Sequence, residues 1–579
     1  MKLPYGASNF EQVRTEGYYY IDKTHYIEIL EKQPERHIVI LRSRRFGKTL
    51  FCNMLGWYYD RRRDKRFAEL FKGTYIHEHP TPKRNSYLML TFNFSGINTQ
   101  TLENANEGFA AEVLRRVKLF TGLYREHFSP AERKFILAQP TPNDILSALF
   151  DKIAEEDLGK CVYIVIDEYD HFANNLMSQG KEMFKDLVKT DGYVRPFYEA
   201  LKKGAETVVD RIFITGVMPI LLDSLTSGFN IAMNLSTDIR FNEMLGFTDE
   251  EITPILESLF PTEVEEMREI LRSYYDGYRF SPRAEQTVYN SDMVLYYGVR
   301  YDPQHRYIES MMDVNVVSDY RKIRAILSIG EKALEESVLT QIVRDKVISV
   351  RGIQQLFVLT WETEFLFNQG ALVSLLFYMG YLTISDRRGL TIFLRMPNVV
   401  LESLYLEYME RLLMVRGEVR IGSDDKLEML EQLVVGNPSM LISLTEQMLK
   451  GLSNRDNPST GRLRAQKFDE KYIKVVMLSL LSDVDVYIPH SEYEVSADGY
   501  VDIYLQAVFE PNRSVHFFFE LKYAKAKTSN KRLDSVEKKG KKAMAKYLAT
   551  QTAQVIPNLQ PYLLIFRKDR CARKIHCSV

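Results

Sequence analysis

The run His37-Ile38-Val39-Ile40-Leu41 breaks directly into Arg42-Ser43-Arg44-Arg45-Phe46-Gly47-Lys48-Thr49, and a helical pattern follows. No other feature constrains the fold as much. A short, continuously apolar run reads as a strand buried on both faces, which belongs in a parallel sheet. A parallel partner is reached only through a crossover connection, so helices must alternate with strands. The sequence follows that rule. Further apolar runs stand at residues 87–92, 161–166 and 211–214, with helical periodicity at 103–120 and 144–154. The expectation for residues 1–285 is an α/β domain, a parallel sheet with both faces covered.

The loop carries phosphate chemistry. Backbone N–H groups at a helix N-terminus face an anion. Lys48 is placed to reach the β- and γ-phosphates of ATP, and the Thr49 hydroxyl to bind Mg²⁺. The full pattern asks for glycine where Arg42 stands, and Gly-Lys-Thr alone also fits a surface turn. A second element narrows the reading, because the apolar run 162–166 ends in Asp167-Glu168. Asp167 suits the Mg²⁺ shell and Glu168 the activation of an attacking water. The plainer alternative is an acidic pair capping a helix. Thr215 ends another buried run, where a polar group would sense the γ-phosphate. These elements follow one another in the order of an additional-strand P-loop ATPase. Arg42, Arg44 and Arg45 are candidates to take phosphate contacts in place of the absent glycine, since arginine pairs with phosphate bidentately. The candidate nucleotide set is Arg45, Gly47, Lys48, Thr49, Asp167 and Thr215.

A second constellation stands near the C-terminus. Val501-Asp502-Ile503-Tyr504-Leu505 alternates as a strand, and Phe517-Phe518-Phe519-Glu520-Leu521-Lys522 follows. Period two puts Glu520 and Lys522 on one face and Phe519 and Leu521 on the other. If the strands pair, Asp502 and Glu520 share a divalent cation, and Lys522 beside it positions or activates a water. That is the equipment for phosphodiester hydrolysis. Mg²⁺ suits it, with Mn²⁺ as a substitute, because Mg²⁺ takes few carboxylates and keeps its waters. Glu494, and Glu470 from the helical run 469–481, are candidates to join. A cross-strand salt bridge is the alternative. From Glu520 to Thr550 ten Lys/Arg face three acids. Such a local excess marks a phosphate-binding face, unless it is a solvated helix.

Composition limits the rest. Lys+Arg 76 balances Asp+Glu 77 in 579 residues, so attraction to nucleic acid must be local. Four cysteines without a CxxC pair exclude a disulfide framework and disfavour zinc, and they fit a reducing, cytoplasmic setting. The longest apolar run, 371–384, contains Ser374 and Gly380 and is short of the ~20 residues of a membrane span. No secretory leader pattern opens the chain, and no membrane association is expected. Strand signals thin out over 286–452, a helical middle or lid region. The polar break at 453–461 is the best linker candidate, leaving 463–579 as the last domain. The aromatic run 274–278 reads as packing around a turn, with base stacking as the alternative.

These residues resemble a family, the bacterial AAA-ATPase-like proteins with a C-terminal PD-(D/E)XK nuclease domain. The likeness lies in Leu3-Pro4-Tyr5-Gly6, Tyr18 to Thr24, the loop 42–49, Ile166 to Asp170, Thr215-Gly216-Val217, Gly246-Phe247-Thr248, Tyr275 to Phe280 and Gly380 to Thr383. It extends to Glu470, Glu494, Gly499-Tyr500-Val501-Asp502 and Glu520-Leu521-Lys522. The family also has arginine at the position of Arg42. This chain departs from it at Tyr500, where arginine is usual, and in lacking a glutamine before Tyr547. The resemblance implies a P-loop ATPase core, a helical middle region and a restriction-endonuclease-like α/β/α domain. It also implies ATP and Mg²⁺ as cofactors and nucleic acid as substrate, DNA ahead of RNA; it does not fix the biological role, with defence and mobile-element processing as the two candidates. Nucleotide state would gate the nuclease through the middle region. Assembly into a homo-oligomer would let Arg240 serve as an arginine finger in trans. Two rivals stand beside this: a nucleotide-responsive binding module, and an effector held inactive by a regulatory protein partner.

Overall fold

The structure is a computed structural model. It describes all residues except 172–193, 220–230, 303–307, 314–331, 355–367, 454–468, 483, 497–498, 509–513 and 578–579. The expected linker therefore lies, from residue 454 onward, outside the described residues. The chain divides into two compact units, Met1–Val338 with Val347–Asn398, and Leu339–Lys346 with Val399–Val579.

In the first unit β1 (His37–Leu41), β2 (Leu88–Asn93), β3 (Val162–Asp167), β4 (Val209–Gly216) and β5 (Met233–Asn234) form a sheet in the order β2-β3-β4-β1-β5. Every pairing is parallel. β3 and β4 are buried along their whole length. Their valines and isoleucines fit a pleated interior, each contributing about 1.5–3 kcal/mol by burial. Helices Lys48–Tyr59, Leu102–Leu123, Pro142–Glu155 and Val194–Thr207 lie between the strands in sequence. Local signals start two of them. The Thr101 and Thr141 hydroxyls accept the N–H of Asn104 and Asp144, and Pro142 takes the first helical turn. Because β4 lies between β1 and β3, the loop, the Asp167-Glu168 pair and Thr215 emerge at the carboxyl ends of three adjacent strands. That is the edge at which open α/β sheets bind ligands.

The same unit carries a small antiparallel sheet of β6 (Ile348–Val350), β7 (Thr383–Arg388) and β8 (Thr391–Arg395), in the order β6-β8-β7. Helix Gln369–Tyr378 is buried from Ala371 onward on every side, as befits a core helix. Among the described residues no helix is long and apolar enough to cross a membrane. The aromatic run 274–278 packs inward. Tyr274, Tyr275 and Tyr278 are buried, and the Tyr275 hydroxyl donates to the Met311 carbonyl. Gly277 has φ +98°, and a Cβ there would fall 2.1 Å from the Pro397 carbonyl oxygen. Only glycine fits.

In the second unit helices Val399–Gly417, Ser439–Ser453 and Glu470–Leu480 pack on one another. The stretch 286–452 is thus shared between the units and holds strands as well as helices. β9 (Tyr487–Ser496), β10 (Gly499–Ala507), β11 (His516–Ala524), β12 (Leu559–Arg567) and β13 (Arg570–His576) form a mixed sheet in the order β13-β12-β11-β10-β9. Only β11 and β12 pair in parallel, and helix Asn530–Leu548 lies in the crossover between them. That helix sits tightly on the sheet. Gly540 leaves the space that Leu563 fills, since a Cβ would come within 2.5 Å of it. Met544 and Leu548 join Val501, Tyr504 and Phe518 in a buried cluster.

Candidate active sites

The loop after β1 is held by named contacts. Gly47 caps helix Lys48–Tyr59 with φ +85°. Arg45 is also left-handed, at φ +69°. For a side chain with a Cβ that conformation is costly and needs support. The Ser291 hydroxyl donates to the Arg45 carbonyl at 3.1 Å, and the Arg45 guanidinium donates to Asp292 at 3.1 Å. Phe46 is buried against Tyr278 and Phe280, and its carbonyl accepts the Gly246 N–H. Beside the loop opens a cavity of about 610 Å³, lined by Arg44, Lys48, Thr49, Tyr19, Tyr20 and Phe247 among others.

At the strand ends the acids meet the loop. Lys48 Nζ donates to the Ser43 carbonyl at 3.1 Å and lies 3.7 Å from Glu168. Thr49 Oγ1 donates to Asp167 Oδ2 at 2.8 Å, and the Asn93 amide donates to the same oxygen at 3.0 Å. The other oxygen, Asp167 Oδ1, is buried with no hydrogen-bond partner among the described residues. Burial, then the neighbouring Glu168, push the Asp167 carboxyl up to about 6. Burial acts upward on Glu168 too, but Lys48 and His171 outweigh it and hold Glu168 down at about 2. An unsatisfied buried carboxylate oxygen next to a threonine hydroxyl fits the oxygen ligands that Mg²⁺ takes.

Two loop-related expectations meet other facts. Arg42 is only 1% exposed. Its guanidinium turns into the interior and donates to the carbonyls of Leu41 and Ser236 at 2.8 Å each and to that of Phe241. It also lies over the Phe280 ring. Both of its Nη groups are committed to main-chain carbonyls and the side chain is buried, so Arg42 neither replaces the absent glycine at phosphate nor faces solvent. The Thr215 hydroxyl donates to the Ile40 carbonyl at 2.9 Å and ties β4 to β1. Arg240 is paired with Asp238 at 2.8 Å. Asn93, at the end of β2, was not singled out in the sequence. Its position at the end of an apolar run, like that of Asp167, was the available signal.

The C-terminal unit gathers its candidates from a helix and three strands. Asp502 lies one residue beyond the pairing Ile503↔Phe519, and its carboxylate accepts the Leu521 N–H at 2.7 Å. Lys522 Nζ sits 2.8 Å from Glu520 and 3.8 Å from Glu470. The Glu470 carboxylate also accepts the Tyr523 N–H at 3.2 Å. Burial, then Asp502, raise Glu520, and burial raises Asp502 despite Leu521 and Lys522. Lys522 is raised as well, because Glu520, Asp502 and Glu470 outweigh its burial. Two largely buried acids that Lys522 compensates only in part suit a divalent cation bound by one or two carboxylates. Among the described residues no group of three or more His, Cys, Asp or Glu side chains has metal-holding geometry.

Glu494 pairs with Tyr500, exposed, toward the Gly499 end of β10. The acid linked to Asp502 is Glu492, which has φ +52° within β9. It bonds Lys474, a lysine 3% exposed on the Glu470 helix, whose Nζ is 4.0 Å from Asp502. Neither Glu492 nor Lys474 was read from the sequence. The signal for Lys474 was its spacing of four from Glu470, which puts both on one helix face.

Comparison with known proteins agrees with both halves. Residues 4–226 match the family described as a predicted AAA-ATPase, and residues 468–574 match the PD-(D/E)XK nuclease superfamily. An uncharacterized protein in the vnfD 5′ region of Azotobacter chroococcum mcd 1 is 28% identical over 309 residues, 52% of each chain. The chain thus spans about half the length of that curated relative. The solved Walker-type ATPase PABY2304 of Pyrococcus abyssi is 13% identical, with a TM-score of 0.34 over 68% of this chain and 97% of its own. The strand order, the loop with its Asp-Glu partner, the Asp502–Glu520–Lys522 group and the two matches converge: the chain joins a predicted AAA-ATPase domain to a PD-(D/E)XK nuclease superfamily domain.

Proposed function

We propose that the chain binds and hydrolyses ATP with Mg²⁺ in its first unit and cleaves nucleic acid, DNA ahead of RNA, in its second. The observation that carries the nuclease reading is the convergence of Asp502, Glu520 and Lys522, residues from two strands, at one largely buried point.

In the first unit Thr49 and Asp167 would hold Mg²⁺ beside the phosphates. Lys48, resting on the Ser43 carbonyl and near Glu168, would exchange those contacts for phosphate oxygens. Glu168, freed from Lys48, would then accept the proton of the attacking water. In the second unit Asp502 and Glu520 would hold Mg²⁺ or Mn²⁺. A bound ion there supplies Lewis acidity and lowers the pKa of its water. Lys522, fixed between Glu520 and Glu470, aligns the water and steadies charge on the phosphate.

The test is cleavage of single- and double-stranded DNA and RNA by the full chain with Mg²⁺ or Mn²⁺, with and without ATP, beside Asp502→Ala. Cutting that the substitution removes establishes the nuclease. Cutting that persists in Asp502→Ala, or no cutting by the parent on any substrate, overturns it. Phosphate release lost in Glu168→Gln establishes ATP turnover, and its absence in the parent overturns that half.

A further inference from the structure

The helix Asn530–Leu548 has two unlike flanks. Asp534, Glu537 and Lys541, spaced three and four apart, share one of them. There Arg573 pairs with Asp534 and Glu537, and Lys541 pairs with Glu537. Charge on that flank is spent internally. Arg532, Lys539 and Lys546 recur every seven residues and so form another line, with about 10 Å between neighbours. All three are exposed, and none has a carboxylate within ion-pairing distance among the described residues.

The second line is the one beside the site. Tyr547 follows Lys546, and its ring packs against the cluster that holds Val501 and Tyr504, on the strand that carries Asp502. A Cβ on Gly499, three residues before Asp502, would touch the Tyr547 ring at 3.4 Å. Arg532, Lys539 and Lys546 thus lie on the flank nearer the active-site end and the neutralised flank lies toward β13, while Lys531, Lys538 and Lys542 are exposed on the outer face between them. A spacing of about 10 Å is close to three base-pair steps of about 3.4 Å measured along the axis of a duplex.

We propose that Arg532, Lys539 and Lys546 form a track for the sugar-phosphate backbone of the nucleic acid that enters the Asp502–Glu520 site. The proposal rests on the nuclease reading above and assigns the surface that feeds it. The track makes no base contact, so it sets affinity and salt dependence without sequence preference.

The test measures anisotropy of a labelled DNA duplex, with labelled single-stranded DNA as second probe, on full-length Asp502→Ala protein between about 50 and 200 mM salt. The triple variant Arg532→Gln/Lys539→Gln/Lys546→Gln should bind more weakly. Its slope of log affinity against log salt should be shallower by about 2.7 on duplex, or about 2.1 on single strands. Lys541→Gln, on the neutralised flank, should leave the slope where it was. An unchanged slope in the triple variant, or an equal loss in Lys541→Gln, overturns the track, as does absence of binding by the parent. Cleavage by wild-type protein, read separately, tells failure of the track from failure of the nuclease reading. Unaltered melting of the variants confirms that the slopes report contacts.

Discussion

The two candidate sites solve one electrostatic problem with different materials. Each sets carboxylates, some of them buried, against lysines that come from another element. In the nucleotide site Asp167 and Glu168 are adjacent in sequence, and Lys48 comes from a loop that one strand and one helix define. In the nuclease site Glu470, Glu492, Asp502 and Glu520 come from four elements, set against Lys474 and Lys522. In the first, each half is a contiguous motif, and the parallel sheet brings the two halves together across 118 residues. The second exists only once a sheet register and a helix position are fixed. A contiguous motif tolerates change in its surroundings, whereas an assembled one fails when any supporting element shifts.

The largest expected effect is at the assembled site. Lys522→Met should cut cleavage by about 10²–10⁴-fold, the range for a group acting on the reacting proton or charge. Single-turnover cleavage on saturating substrate checks it. A loss confined to KM would make Lys522 a binding residue instead.

The next concerns Arg42, which separates a motif from its appearance. Arg42→Gly restores the usual phosphate-loop glycine, yet it strips charged hydrogen bonds from the Ser236 and Phe241 carbonyls. The expected loss is about 3 kcal/mol. It would appear as a fall of about 4 °C in the melting of the first unit, with no gain in nucleotide affinity. Tighter nucleotide binding at unchanged melting would show that Arg42 had been withheld from phosphate rather than used as core.

At the contiguous site, Lys48→Ala removes one charge-assisted contact, and nucleotide affinity should fall about 10- to 100-fold by calorimetry. Glu168→Gln should leave affinity within a few-fold while turnover falls.

What was legible in the sequence follows the same division. β1 to β4 announced themselves because they are buried on both faces and therefore uniformly apolar. β13 alternates exposed and half-buried positions, and β9 carries Pro489, His490, Ser491 and Glu492, so neither edge strand stands out as an apolar run. The hairpin of β7 and β8 was hidden in the same way by Asp386, Arg387 and Arg388 on its solvent face. In the nucleotide site spacing alone named Lys48, Thr49, Asp167 and Glu168. In the nuclease site spacing named Asp502, Glu520 and Lys522, which lie on adjacent strands. Lys474 escaped because a lysine inside Ile473-Lys474-Val475-Val476 gains meaning only from what the helix meets.

The smallest expected effect decides between neighbouring acids on β9. Lys474 is buried, and its ammonium bonds Glu492, so Glu492→Gln leaves a buried cation with only Asp502, 4.0 Å away, as counter-charge. Glu492 is itself 54% exposed, so water shares the compensation and the cost should stay near 1 kcal/mol. Glu494→Gln, exposed opposite Tyr500, should fall within about ±0.5 kcal/mol. Melting of the second unit's transition in the two variants checks the pair. The reverse ranking would mean that Glu494, as its spacing first suggested, is the acid coupled to the site. Its exposed position in β9 would then belong to a state that changes when cation or substrate arrives.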